Sequence, residues 1–122
     1  MGNKLTEVGI FDESINKILG ISLPVSSIYQ SDGLRSHLLK HKHFDCLKHL
    51  ENIREILASP DYIGVNPNEP DSVEYVKVYE KNILVGVKLE TTEGYFYVAS
   101  VYSLQESKLA RRLHSGRLKK MS

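Results

Sequence analysis

Four of the five histidines fall between positions 37 and 49. His37 and His41 are four residues apart, so on a helix both imidazoles point to one side. Histidine titrates near neutrality and is the natural general acid or base for cleaving a phosphodiester through its 2′-hydroxyl. Such a reaction also needs a cation for the charge that develops around phosphorus, and Lys88, Arg112 and Arg117 are the candidates. It needs no metal, because the RNA supplies its own nucleophile. The competing use of the pair is zinc, for which His-x3-His is a ligand spacing with Asp45 one turn further on. The intervening residues are Leu38, Leu39 and Lys40, so the Glu of a HExxH site is missing and a cation adjoins His41. A third use is none at all: either histidine can be a solvent-facing helix residue.

The second chemical feature is the distribution of charge. Residues 108–122, KLARRLHSGRLKKMS, hold six Lys/Arg and no acid. All fifteen carboxylates lie before Lys108, where they outnumber the cations and leave that part of the chain at −5. A near-neutral chain with a concentrated cationic end can meet a polyanion locally. Lys108, Arg112, Ser115 and Lys119 share a face if a helix runs through them. Part of the cluster needs no function, since basic residues at a helix C-terminus complement its dipole.

Other chemistries are not signalled. GxGxxG and GxxxxGK[ST] are absent, so no dinucleotide or P-loop site is indicated, and no cofactor is expected. The single cysteine, Cys46, excludes an internal disulfide and a multi-cysteine zinc site, and reads as a small buried hydrophobe. No apolar run approaches the length of a membrane span, and the N-terminus lacks the layout of a secretory signal. A cytoplasmic location is expected.

The elements that must position these groups follow from period and punctuation. VGIF (8–11) reads as a short strand. Asp12 caps a helix over ESINKIL that Gly20 stops, and SSIYQ is extended. Ser31-Asp32-Gly33 starts a helix carrying Leu34, Leu38 and Leu39, and an amphipathic stretch from Cys46 to Ala58 ends at Ser59-Pro60. The period then changes to that of strands: DYIGV (61–65), a turn-rich loop NPNEPDS, and strands 73–79, 83–90 and 95–102. A two-residue turn at Lys81-Asn82 pairs Val78 with Val85 and Val76 with Val87. A four-residue turn at TTEG pairs Val87 with Val98 and Leu89 with Phe96. The aliphatic face then packs on helices. The opposite face carries Tyr75, Lys77, Gly86, Lys88, Tyr97 and Ala99, a floor for a base or phosphate, or simply a solvated sheet face. A final helix runs from Leu104 to Ser115, with Gly116 as its left-handed cap.

Several segments in this order resemble a known family: His37-Leu-Leu-Lys-His41, Pro60-Asp-Tyr-Ile-Gly64, NILVGVKLE (82–90) and YFYVASVYSLQESKLARRLHSGRLKK (95–120). The chain from about Ser27 to Lys120 is similar to the phage-associated nuclease domains grouped with barnase, EndoU, colicin and RelE toxins. Residues 1–26 form an N-terminal extension outside the resemblance, and 27–122 the nuclease-like domain. The resemblance implies an α+β domain with a small antiparallel sheet of three to five strands packed on N-terminal helices, with a basic C-terminal helix. It also implies a metal-independent endoribonuclease, often a phage or mobile-element toxin, with RNA as substrate and an antitoxin or immunity protein as partner. The catalytic positions are then His37, His41, Lys88, Ser100 and Tyr102, and the substrate-binding ones Tyr62, Arg112, Ser115, Arg117 and Lys119. The alternative is a non-catalytic module that binds RNA or a protein. One tension is visible: the register above puts Ser100 and Tyr102 on the face opposite Lys88, so either the last strand carries a bulge, or these two residues are structural, or Lys88 is not in the site.

Overall fold

The computed structural model describes residues 4–34 and 50–121. The strands are β1 (Leu5–Phe11), β2 (Ser26–Ser31), β3 (Tyr62–Asn66), β4 (Glu69–Val78), β5 (Asn82–Glu90), β6 (Tyr95–Leu104) and β7 (Leu118–Lys120). The helices among the described residues are α1 (Glu13–Leu19), α2 (Ile53–Ala58) and α3 (Glu106–Ser115). All seven strands join one sheet in the order β1-β2-β6-β5-β4-β3-β7. The α+β class stands, but the sheet is larger than three to five strands and is mixed, because β2 runs parallel to β6 while the other pairs are antiparallel.

Local chemistry explains the boundaries. Asp12 accepts from the Ser14 backbone N–H at 3.0 Å, and Gly20, at φ 67°, closes α1 in the left-handed region that favours glycine. Asn66 accepts from the Asn68 N–H at 2.9 Å, so a tight turn at Pro67-Asn68 replaces the longer expected loop and β4 begins at Glu69. The helix α3 stops at Ser115, with Gly116 at φ 86°, and the chain then pairs with β3 as β7. The short basic run of β7 carries no period-two signal, which is why it reads as tail in the sequence.

The core face of the sheet carries Ile63, Val73, Tyr75, Ile83, Val85, Val87, Phe96 and Val101, packed against Ile15 of α1 and Ile53, Ile56 and Leu57 of α2. Phe11 stacks on Phe96 with ring centroids 4.6 Å apart, which ties β1 into this core. On the other face α3 covers one end. There Leu109 and Leu113 cover Val76, Leu84, Leu104 and Leu118.

Two registers decide what lies on the α3 face. In the β4–β5 hairpin Val78 is opposite Asn82 and Val76 opposite Leu84, not Val85 and Val87. The loop holds three residues, with the Tyr79 N–H donating to the Lys81 carbonyl at 3.0 Å. Asn82 is itself anchored, donating to the Leu104 carbonyl at 3.2 Å and Glu106 at 2.9 Å. An odd register shift exchanges the faces of a strand. Tyr75 and Lys77 therefore leave the expected floor for the core face, where Tyr75 is buried and Lys77 donates to the Ser59 carbonyl at 2.8 Å. The β5–β6 hairpin has the expected pairs Val87–Val98 and Leu89–Phe96, then a bulge. Beyond the bulge Ser100 is opposite Gly86 and Tyr102 opposite Leu84, so both share the face of Lys88.

Candidate active site

One cross-strand row organises the α3 face. Gly64, Glu74, Gly86 and Ser100 are successive partners across β3, β4, β5 and β6. Glu74 is a carboxylate on a central strand and only 3% exposed. Burying an ionised group is costly unless it is paired. Arg117 provides the pairing: its Nε and Nη2 donate to the two Glu74 oxygens at 2.9 Å each. Arg112 adds a second guanidinium, with Nη1 3.6 Å from Glu74 Oε2. The Glu74 hydrogen bonds raise the Arg117 pKa, desolvation opposes the shift, and the Glu74 and Tyr102 charges support it. One carboxylate between two guanidiniums leaves a net positive charge.

The two glycines make this packing possible. A Cβ at Gly64 would lie 1.9 Å from the Arg117 carbonyl oxygen, so the backbone of Arg117 crosses the sheet where β3 has no side chain. A Cβ at Gly86 would lie 2.6 Å from Ser100 Oγ. Ser115 holds the turn between the arginines, donating to the Arg112 carbonyl at 3.1 Å and accepting from the Arg117 N–H at 3.3 Å.

Over the β3 end of the row a groove of about 710 Å³ opens between α3 and the β3–β4 turn. Lys108, Arg111, Arg112 and Arg117 line it with Ser115, Gly116, Val65 and Pro67, and none of the described lining residues is a carboxylate. Over the β5–β6 end of the row a second groove of about 550 Å³ is bounded by Lys88, Tyr97, Ala99, Ser100, Glu69 and the Ser31–Leu34 segment. Lys88 Nζ is 3.7 Å from Glu69 Oε1, and both side chains are about half exposed. An arrangement of fixed guanidiniums beside a lysine and a hydroxyl can bind a phosphodiester and stabilise charge developing on it.

The residues singled out in the sequence separate into groups. Arg112, Ser115 and Arg117 meet in the first groove, and Lys88 and Ser100 in the second. The bulge removes the conflict between Ser100, Tyr102 and Lys88. Tyr62 and Tyr102 are on the same face, half-buried against the apolar cluster under α3. Lys119 is turned away. Strand alternation in β7 puts it opposite Ile63 on the core face, where Nζ reaches the Ile18 carbonyl at 3.5 Å. The shared helical face with Lys108, Arg112 and Ser115 therefore does not extend to Lys119. His37 and His41 lie outside the described residues.

Sequence reasoning missed Glu74, whose face depends on the β4–β5 register. The available signal was two isolated glycines inside strands, Gly64 and Gly86, which mark close approach of another chain segment.

Residues 6–111 match the family described as phage-Barnase-EndoU-ColicinE5/D-RelE like nuclease3. The chain belongs to this family. The match to the phage nuclease family includes β1 and α1 as well as Glu74, Lys88, Ser100 and Tyr102, and Arg112, Ser115 and Arg117 follow directly after it. No curated protein and no solved structure matches the chain. No helix among the described residues is long and apolar enough to cross a membrane.

Proposed function

We propose that this nuclease-family domain is a metal-independent endoribonuclease whose substrate lies on the α3 face. The observation that carries this reading is the convergence on buried Glu74 of Arg112 and Arg117, which with Lys108 and Arg111 line a groove with four cations. In the proposed reaction the RNA 2′-oxygen attacks the adjacent phosphorus as a base takes its proton. The bond from phosphorus to the 5′-oxygen breaks, and an acid returns a proton to that oxygen. The products are a 2′,3′-cyclic phosphate and a 5′-hydroxyl. Arg112 and Arg117, with Lys88, bind the phosphate and stabilise the charge of the pentacovalent state. Both Glu74 oxygens already face guanidinium nitrogens, so Glu74 is assigned to holding the arginines, and the proton transfers fall to His37 and His41. Ser100 contributes a hydroxyl beside Lys88. Tyr62 and Tyr102 support the floor. On a phage or mobile element such an enzyme acts as a toxin in the cytoplasm, where RNA is available, and requires an antitoxin or immunity protein.

The test uses an oligonucleotide with one ribonucleotide in an otherwise 2′-deoxy strand, incubated with the protein in EDTA. Cleavage only after the ribonucleotide, leaving a cyclic phosphate, supports the proposal. Cleavage at deoxy positions, or only with added divalent metal, contradicts it. Salt-sensitive binding without cleavage moves the assignment to a non-catalytic RNA-binding module.

A further inference from the structure

The two ends of the α3 face differ in chemistry. The end under α3 is cationic. The other end, formed by β2 and β6, is aromatic: Tyr29 is opposite Tyr97 in the parallel ladder, and Tyr95 precedes Tyr97 by two residues on the same face. The rings of Tyr29 and Tyr95 meet edge to face at 5.4 Å. All three tyrosines are half-buried, so part of each ring remains accessible. Tyr97 lines the second groove beside its cross-strand partner Lys88, above the small residues Gly33, Ala99 and Ser100.

Charge separates the uses of the two ends. Among the described residues no carboxylate lines the first groove. At the tyrosine end Glu7 is opposite Tyr29, Glu90 is opposite Tyr95, and Glu69 faces Lys88. Those carboxylates disfavour a run of phosphates beyond the one assigned to Lys88 but do not oppose a neutral heteroaromatic ring. Exposed tyrosine faces on a sheet are stacking surfaces for unpaired bases. The second groove, at about 550 Å³, has room for a nucleoside.

We propose that Tyr97, backed by Tyr29 and Tyr95, forms a nucleobase platform, so that the substrate is single-stranded RNA with a base stacked on Tyr97 and its phosphates across the Glu74–Gly86–Ser100 row in the basic groove. This rests on the ribonuclease reading and names the form of RNA that it takes. A duplex keeps its bases stacked on one another and has none to offer the platform.

The experiment measures binding of two uncleavable single strands of equal length, a 2′-O-methyl hexanucleotide and its abasic counterpart, to wild type, Tyr97→Ala, Tyr97→Phe and Arg111→Ala. Tyr97→Ala is expected to weaken the base-bearing strand about tenfold and leave the abasic strand unchanged. Unchanged abasic binding also shows that the variant is folded. Tyr97→Phe keeps the ring and retains affinity, and Arg111→Ala weakens both strands. If Tyr97→Ala affects neither strand, or both equally, the platform is overturned while the RNA reading stands. If wild type binds neither strand, both are overturned.

Discussion

Arg117 holds both oxygens of Glu74 with hydrogen bonds of 2.9 Å across 43 residues of sequence. The pair is unequally buried: the Glu74 side chain is 4% exposed and that of Arg117 23%. Removing the arginine strands a carboxylate in the sheet, with Arg112 at 3.6 Å the one cation left beside it among the described residues. Removing the carboxylate leaves a guanidinium that can turn to water. Arg117→Ala should therefore destabilise more than Glu74→Ala, by about 3 kcal/mol against a smaller loss, in urea unfolding. Equal losses would show that the pairing does not set the cost.

The glycines beside Glu74 give a graded expectation. Gly64→Ala drives a methyl against the backbone of Arg117, which cannot swing aside, whereas Gly86→Ala meets a rotatable Ser100 hydroxyl. Gly64→Ala should cost about 2–3 kcal/mol and Gly86→Ala clearly less, read from denaturation midpoints. The reverse order would contradict the close crossing of β3 by Arg117.

RNA affinity should follow the two faces of the C-terminal segment. On the proposed binding mode Lys108→Ala and Arg111→Ala should each reduce the slope of log affinity against log salt by about 0.7 for a single strand. Lys119 is on the core face, and Lys119→Ala should leave the slope unchanged. Salt titrations by fluorescence anisotropy distinguish the three.

Tyr75 offers a test independent of function. Its hydroxyl is buried without a hydrogen-bond partner among the described residues, and burial, with a smaller contribution from the Asp12 charge, raises its pKa above the ordinary 10.0. The folded state therefore holds the proton more tightly than the unfolded one. That contribution is complete below pH 10.0 and is lost as pH rises from there towards the folded value. Tyr75→Phe should remove this alkaline loss and raise stability at neutral pH by about 1 kcal/mol, since it deletes an unsatisfied hydroxyl. Unfolding curves at neutral and alkaline pH check both parts.

Much of the fold was legible in local chemistry. Asp12 and Gly20 bounded α1, Gly116 closed α3, and matching apolar faces set the β5–β6 register at Val87–Val98. The larger error came from one turn. A three-residue loop in place of two exchanged the faces of β4, which sent Tyr75 and Lys77 into the core and brought Glu74 to the site. Turn length is settled here by Asn82, which is anchored to Leu104 and Glu106, contacts that no local pattern reveals. Lys119 was misplaced for a related reason: LKK has no alternation to distinguish a strand from a helical tail. That Arg112, Ser115 and Arg117 cluster was legible because the two charges, the hydroxyl and the Gly116 stop are local. Their common partner Glu74 was not, because it comes from a distant strand.

The central claim is that arginines fixed by Glu74 stabilise the transition state of RNA cleavage, and its most direct test is the rate for Arg117→Lys at saturating RNA in EDTA. The substitution keeps the charge that stabilises Glu74 but loses the planar fork that sets guanidinium geometry. The account predicts cleavage by wild type and a rate about 100-fold lower in the variant, with the fold retained. An unchanged rate, or no cleavage by wild type, would contradict it.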